Sequence, residues 1–293
     1  MPYFGPMKVA VIGAGRVGTA VAVLLQRAGH RIVAVSGGAQ TRGRASLHLP
    51  DVPFREPADA ASAAELVVVG TSDDAIAPTV EALAAAAVLG PDRWICHLSG
   101  SLGLEALAAA RDAGAGVFAI HPLQTFPDVG AAIDRLPGCP IAVTAGDEEG
   151  FALGERLADD LGGDPFRLAD ELRPLYHAAA VFASNYLVTA SAIAESLFAA
   201  AGVPDPARAM APLQRASLEH VERFGPAHAL TGPAVRGDAG TVRRNLEALE
   251  RHAPALVPAY VAMAAATLDL AERSGRLPAG SRAAMEGVLA AWT

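Results

Sequence analysis

The chain has 293 residues and a net charge of −8 without a basic tract, so neither nucleic acid nor an anionic membrane surface is an expected partner. It is 52% hydrophobic but only 5% aromatic, so any core must be built mainly from Ala, Val and Leu. That length suits one large domain or two ordinary ones. Cys96 and Cys139 sit in apolar sequence with no metal-ligand spacing, and read as two reduced buried thiols. No pair of His, Asp or Glu has convincing metal spacing either. The first apolar run is short and leads straight into a glycine turn, unlike a secretory signal. No uninterrupted apolar stretch reaches the roughly 20 residues of a membrane span, Ala255 to Ala266 being short and carrying Pro258. A cytoplasmic, soluble protein without metal is expected.

Lys8 to Thr19 reads KVAVIGAGRVGT, a β-type run followed by Gly13, Gly15 and Gly18 in G-x-G-x-x-G spacing. An apolar-periodic helix follows, from about Arg16 to Ala28, closed by Gly29. In such a unit Gly13 makes the tight turn, Gly15 leaves the backbone open to a pyrophosphate, and Gly18 permits close helix–sheet packing. Gly13, Gly15, Arg16, Val17 and Gly18 are therefore expected to bind a dinucleotide at a helix N-terminus. The second strand, His30 to Ser36, ends where an NAD site usually carries a carboxylate. Here Ser36 stands there, with Thr41, Arg42 and Arg44 just beyond, which favours NADP(H) over NAD because guanidiniums can hold a 2′-phosphate. The alternative is a solvated loop with two surface arginines.

A short strand near Val52–Phe54 and a helix over Ala58–Ala64 come next. The strand Glu65–Gly70 ends in Thr71-Ser72-Asp73-Asp74 before an alanine-rich helix reaching about Val88. Ser72 or Asp73 can cap that helix, and Thr71 and Ser72 can also line the cofactor at a strand's carboxyl end. Strand Trp94–His97 leads to Leu98-Ser99-Gly100-Ser101, and strand Val117–Ile120 leads to His121-Pro122. Ser99 joins the expected cofactor set, while His97 and His121 follow strand ends on the side of the glycine turn. A strand over Pro140–Thr144, a helix over Asp147–Leu161 and a strand around Phe166 complete an alternating pattern that predicts a parallel sheet with helices on both faces.

Past Asp170 the texture changes to helices: Arg173–Ala201, Ala207–Arg223, Thr241–His252, Leu256–Ser274 and Ser281–Trp292. Domains at 1–170 and 171–293 are expected. The helix from Arg173 carries Tyr176, His177, Ser184, Asn185 and Ser191 in otherwise apolar sequence. A polar stripe there must be satisfied internally or face a wet cleft. His121, His177 and Asn185 are the candidate catalytic residues; Ser184 and Ser191 stay open between the two readings. His30, His48, His220 and His252 fall in turns or on expected solvent faces. Thr231, Arg236 and Asp238 are a candidate carboxylate-binding corner, or else a connector whose Asp238 caps the next helix.

Taken together, VIGAGRVGTA, HLSGSLGLEAL, HPLQTF, YHAAAVFASNYL and LTGPAVRGD make nearly the whole chain resemble a bacterial family. In that family a Rossmann-like domain is joined to a C-terminal domain of unknown function, within the 6-phosphogluconate dehydrogenase-like superfamily. The resemblance implies a doubly wound α/β Rossmann domain followed by an all-helical domain, a nicotinamide cofactor, a small-molecule substrate between the domains, and a homodimer through the helical part. Superfamily relatives include ketopantoate reductase and pyrroline-5-carboxylate reductase. The implied activity is reduction of a small 2-oxo acid, with a cyclic imine, or cofactor binding without turnover, as alternatives. Several of those dehydrogenases pair a Lys and an Asn one turn apart. Asn185 fits the Asn, but Val181 stands at the Lys position, and Lys8 is the only lysine in the chain. Proton transfer then falls to His121 or His177, whose imidazoles titrate near neutrality when unperturbed.

Overall fold

The computed structural model describes residues 5–292. The chain forms two compact units, the first running to Tyr186 and the second starting at Leu187. The first therefore extends past the 170/171 boundary expected from sequence texture, because the helix that begins at Arg173 anchors its first side chains among the strand-end loops.

In the first unit β1 (Lys8–Ile12), α1 (Arg16–Arg27), β2 (Arg31–Ser36), α2 (Ala39–His48), α3 (Pro57–Ser62), β3 (Leu66–Val69), α4 (Asp73–Ala85) and β4 (Trp94–His97) build the first half. Then α5 (Ala108–Asp112), β5 (Gly116–Pro122), α6 (Val129–Arg135), β6 (Pro140–Ala145), α7 (Glu148–Asp160), β7 (Asp164–Arg167) and α8 (Arg173–Ala180) follow. The seven strands order as β2-β1-β3-β4-β5-β6-β7. Strands β1 to β5 are parallel, but β6 pairs antiparallel to β5, with His121 opposite Ala142. β7 runs parallel to β6. The expected doubly wound parallel sheet is present, and the one antiparallel pairing, β6 on β5, departs from it, since the segment after β5 carries only the short α6, packed on α1, before the chain turns back. The expected strand at Val52–Phe54 reduces to a single bridge between Val35 and Phe54.

Alternation along β1 explains the double winding. Val9 and Val11 face a core with Leu24, Leu25, Leu153 and Leu157. Ala10 and Ile12 face the opposite one, with Ile76, Val80, Leu83 and Leu107. The residues of β1 between Val9 and Ile12 are almost wholly buried, as a strand covered on both faces requires. The chain leaves β1 toward β2 on one side and reaches β3 on the other, so the switch point lies between the ends of β1 and β3.

A π-helical turn (Val181–Asn185) leads to α9 (Tyr186–Ala200), and α10 (Pro206–Ala229), α11 (Ala239–His252), α12 (Val257–Arg273) and α13 (Ser281–Ala290) make up the rest. Within α10 Gly225 leaves the helical region (φ 75°), ahead of Pro226, the break expected there. Val242, Leu246, Val261, Leu268, Met285 and Val288 form the core of this second unit. By length and composition two stretches, Asp170–Ala200 and Pro254–Arg273, are apolar enough to cross a membrane, at mean hydropathies of 1.2 and 1.4. Counting uninterrupted apolar residues overlooked them, because isolated polar residues are spaced along both. Arg173 of the first stretch is fully buried among polar partners, and Val257, Val261 and Leu268 of the second pack into the helical core.

Candidate active site

The glycine turn is a close-approach structure. Gly13 has φ 92°, and a Cβ there would lie 2.5 Å from the Thr71 nitrogen, while one on Gly18 would lie 2.3 Å from the Gly13 carbonyl oxygen. Both glycines are thus set by backbone contact. Gly15 differs, since the nearest atom to a Cβ there would be 4.0 Å away, so its missing side chain leaves open space. The α1 N-terminus has no side-chain cap and no acidic residue in its first turn, leaving the N–H groups around Arg16, Val17 and Gly18 for an anion.

At the end of β2, Ser36 is buried and its carbonyl accepts from the Gly13 and Ala14 nitrogens at 2.9 and 2.8 Å. The segment beyond is a helix, α2, where sequence left a loop as the alternative; its polar run with Gly43 gives little apolar periodicity. Its N-cap is Gly38, again without a side-chain cap or an early acid. The Arg42 guanidinium lies 4.7 Å over the Phe54 ring, and Arg44 is half-buried on the same helix. Carboxylates are missing from β2's end and the first turn of α2, and an anion-binding helix start is present. The donor set fits a dinucleotide.

Between the ends of β3, β4 and β5 lies a cavity of about 160 Å³ bordered by Val17, Thr71, Asp73, Ser99, His121 and Gln124. The Thr71 hydroxyl oxygen is buried and lacks a hydrogen-bond partner, an orphan beside the glycine turn that a ligand would satisfy. Ser72 is the N-cap of α4 by position but makes no side-chain capping bond, and Asp73 does not cap either. Instead Asp73 accepts from the Ser99 and Ser101 hydroxyls at 2.9 and 2.7 Å. Ser99 Oγ in turn accepts from the Ser101 and Leu102 nitrogens, so it is committed to shaping this loop.

The two strand-end histidines separate in role. His97 is fully buried; its Nδ1 accepts from the Ser99 nitrogen and its Nε2 reaches the Gly103 carbonyl, both at 3.2 Å. Burial, then Arg173, lowers it to about 4, so it is a neutral structural brace. His121 stands at the cavity wall, its Nδ1 2.9 Å from the Tyr176 hydroxyl. Burial, followed by the charges of Arg173 and His177, lowers it also to about 4. Burial likewise pushes the Tyr176 phenol up to about 12. His177 lies beside them, its ring centroid 6.4 Å from that of His121. Gly100 underlies both rings: a Cβ there would lie 2.8 Å from His121 Nε2 and 2.9 Å from His177 Cδ2.

Arg173 holds this arrangement from behind. Its guanidinium donates to the Leu102 and Ser99 carbonyls and, at 2.8 Å, to Thr144 Oγ1. The π turn alters the polar stripe. It adds a residue to one helical turn, so Asn185 takes the phase about His177 that Ser184 would hold in a plain α-helix. In the second unit Ser191 is satisfied internally, donating to the Leu187 carbonyl at 2.8 Å and accepting from Gln214 at 2.7 Å. Asp238 caps α11, accepting from the Thr241 nitrogen and hydroxyl, while Thr231 and Arg236 are exposed. His30 is not on a solvent face: it is buried, bonded to the Met7 nitrogen and Asp160.

Sequence reasoning therefore marked the glycine turn, Thr71, Ser99, His121 and His177, all of which fall in the first unit. It missed Asp73 as a hydroxyl acceptor and Arg173 altogether. Tyr176 was placed in the polar stripe beside His177 but given no role, because its partner is 55 positions away in sequence. A larger recess of about 460 Å³ lies in the second unit, lined by Leu197, Leu249, His252 and Tyr260. It is mainly apolar, and Asn245 there already donates to Tyr260 at 2.9 Å. Among the described residues no cluster of His, Cys, Asp and Glu could hold a metal.

A doubly wound sheet with a glycine turn at its switch point defines a dinucleotide-binding fold. The comparisons narrow this further. Residues 5–122 match the Rossmann-like domain, and residues 139–267 match the Domain of unknown function (DUF2520). The chain belongs to the proteins that join these two domains. No curated protein is a detectable sequence match. Among solved structures it is similar to a Bacteroides fragilis protein provisionally named an NADP oxidoreductase, with a TM-score of 0.76, 24% identity, and 90% of this chain and 98% of that one covered. The Thermotoga maritima protein TM1727 gives 0.70 at 21% identity, covering 92% and 100%. An imine reductase from Myxococcus stipitatus in complex with NADP+ gives 0.64 at 16% identity, covering 97% and 99%. At these identities the likeness is one of fold.

Proposed function

We propose that the protein is an NADP-dependent reductase of a small carbonyl compound, a 2-oxo acid of the ketopantoate type being the first candidate. The observation that carries this reading is the meeting of the glycine turn, the orphan Thr71 hydroxyl and His121 around one cavity. Gly13, Gly15, Arg16, Val17 and Gly18 would hold the pyrophosphate, Thr71 and Ser72 the nicotinamide end beside the loop that Ser99 shapes, and Ser36, Arg42 and Arg44 the 2′-phosphate. When bound, the cofactor supplies the hydride. His121 then faces the oxygen of the reduced carbon, with His177 and Asn185 as further polar groups. Arg236 remains a candidate anion fork within the second unit. The test is NADPH consumption over a panel of oxo acids, with His121→Ala as the control; no turnover of any of them refutes the oxo-acid reading.

A second reading, reduction of a cyclic imine, is favoured by the charge at the cavity. Asp73 offers a carboxylate there, whereas the Arg173 guanidinium is consumed by carbonyls and the Thr144 hydroxyl. A cationic iminium suits such a wall better than an anionic acid. Turnover of cyclic imines but not oxo acids selects it. The missing lysine supports a third reading, cofactor binding without catalysis, selected by tight NADPH binding with no turnover. A homodimer through the second unit is supported by its exposed Leu213, Leu218, Val221 and Phe224. Light scattering at twice the chain mass is the expected result. The two free, buried cysteines are consistent with the cytoplasm.

A further inference from the structure

We infer that Tyr176 is the proton source behind His121, the two forming a relay in which the phenol holds the imidazole as the Nε2–H tautomer and resupplies its proton. This rests on the reductase reading. Tyr176 Oη lies 2.9 Å from His121 Nδ1, and the rings meet edge-on at 87° with centroids 5.5 Å apart. Among the described residues Nδ1 is the one hydrogen-bond partner of that hydroxyl. A phenol that donates to Nδ1 leaves the ring's proton on Nε2, the nitrogen that lies against Gly100 beside the cavity.

The relay resolves a chemical difficulty. Reduction of a carbonyl leaves an alkoxide that must take a proton, yet burial, aided by the charges around His121, keeps its imidazolium from forming near neutrality. Arg173 and His177 disfavour the positive ring, and Asp73 favours it too weakly to offset burial. A neutral imidazole by itself is a poor acid, because losing its one N–H proton would leave an anion. With Tyr176 in line, the Nε2–H bond breaks as the substrate O–H bond forms. The Tyr176 O–H bond breaks as the Nδ1–H bond forms. The ring ends neutral as the other tautomer; Nε2 then takes a proton from water, releasing hydroxide, as the Nδ1–H bond breaks and its proton returns to the phenolate, which restores the starting state. Tyr176 thus acts through His121 as a positioning and proton-supplying residue.

The test reads the tautomer directly. Histidines labelled with nitrogen-15 are followed by NMR in the whole protein between about pH 6 and 8, with the His121 ring signals assigned by through-bond correlation to its own backbone. The expected result is a neutral His121 protonated on Nε2 in the wild type, and a mixed or reversed tautomer in Tyr176→Phe. A wild-type proton on Nδ1, or the same tautomer in both proteins, overturns the relay, and the wild-type arm needs no variant to fold. With a turned-over carbonyl substrate, Tyr176→Phe should lower kcat by about 10²–10⁴-fold while NADPH affinity holds. An unchanged kcat overturns the relay. Failure of the wild type to bind NADPH, read by a separate titration, strikes the reductase reading itself.

Discussion

Arg173→Met separates the support of the site from its chemistry. Arg173 is fully buried, and among the described residues no carboxylate pairs with it; its charge is met by two carbonyls and the Thr144 hydroxyl. Three bonds from an ionised donor are worth roughly 1.5–3 kcal/mol each. Against that gross loss stands the release of a buried guanidinium's desolvation penalty, several kcal/mol. The net expectation is a destabilisation of about 2–4 kcal/mol, or a Tm lower by roughly 4–16 °C for a unit of this size. The charge of Arg173 also lowers His97 and His121, in each case second to burial. Both histidines should therefore titrate higher in the variant yet stay below 6.5, since burial persists. Urea unfolding and histidine NMR titration check the two halves. Unchanged stability, or histidines that titrate lower, would refute this account of how the strand-end loops are held.

The glycine turn predicts a contrast between two variants. Gly18→Ala sets a methyl 2.3 Å from the Gly13 carbonyl oxygen and should cost about 1–3 kcal/mol. Gly15→Ala meets open space and should leave stability within about 0.5 kcal/mol while weakening NADPH binding; equal stability losses would contradict the distinction. Acid stability follows from His97, which titrates at about 4 in the fold against 6.5 when unfolded. The unfolded chain takes up the proton first, so this stabilisation is complete above 6.5 and is lost as pH falls toward 4, about 3 kcal/mol in all. Urea midpoints measured across that window should fall with pH, and in His97→Gln fall less steeply; a flat wild-type profile would contradict the buried neutral state.

What was legible in the sequence was local. The G-x-G-x-x-G turn combines strand, glycine spacing and helix in consecutive residues, and the ends of β3, β4 and β5 could be read as boundaries of apolar runs. The helical second half followed from periodicity in the same way. The antiparallel β6 was not legible, because strand direction depends on where the chain returns after α6. Nor was α2, whose polar residues show a weak apolar face. His177, Ser184 and Ser191 stand seven residues apart, a spacing that in a plain α-helix puts them on one face, but a single π turn shifts the phase midway. Asp73 looked like a helix cap until the Ser99 loop was brought against it. Tyr176 and Arg173 gain their roles only by crossing to β5, to the Ser99 loop and to Thr144, contacts that no window of sequence contains.

The central proposal is that the first unit binds a phosphorylated nicotinamide cofactor at the ends of β1, β2 and β3. Titration of the purified protein with NADPH and with NADH, followed by cofactor fluorescence, tests it most directly. The account predicts that NADPH binds at least about tenfold more tightly, a difference of about 1.4 kcal/mol, and that Arg42→Ala with Arg44→Ala removes the preference while NADH binding stays as it was. Binding of neither cofactor, or a preference for NADH, would contradict it.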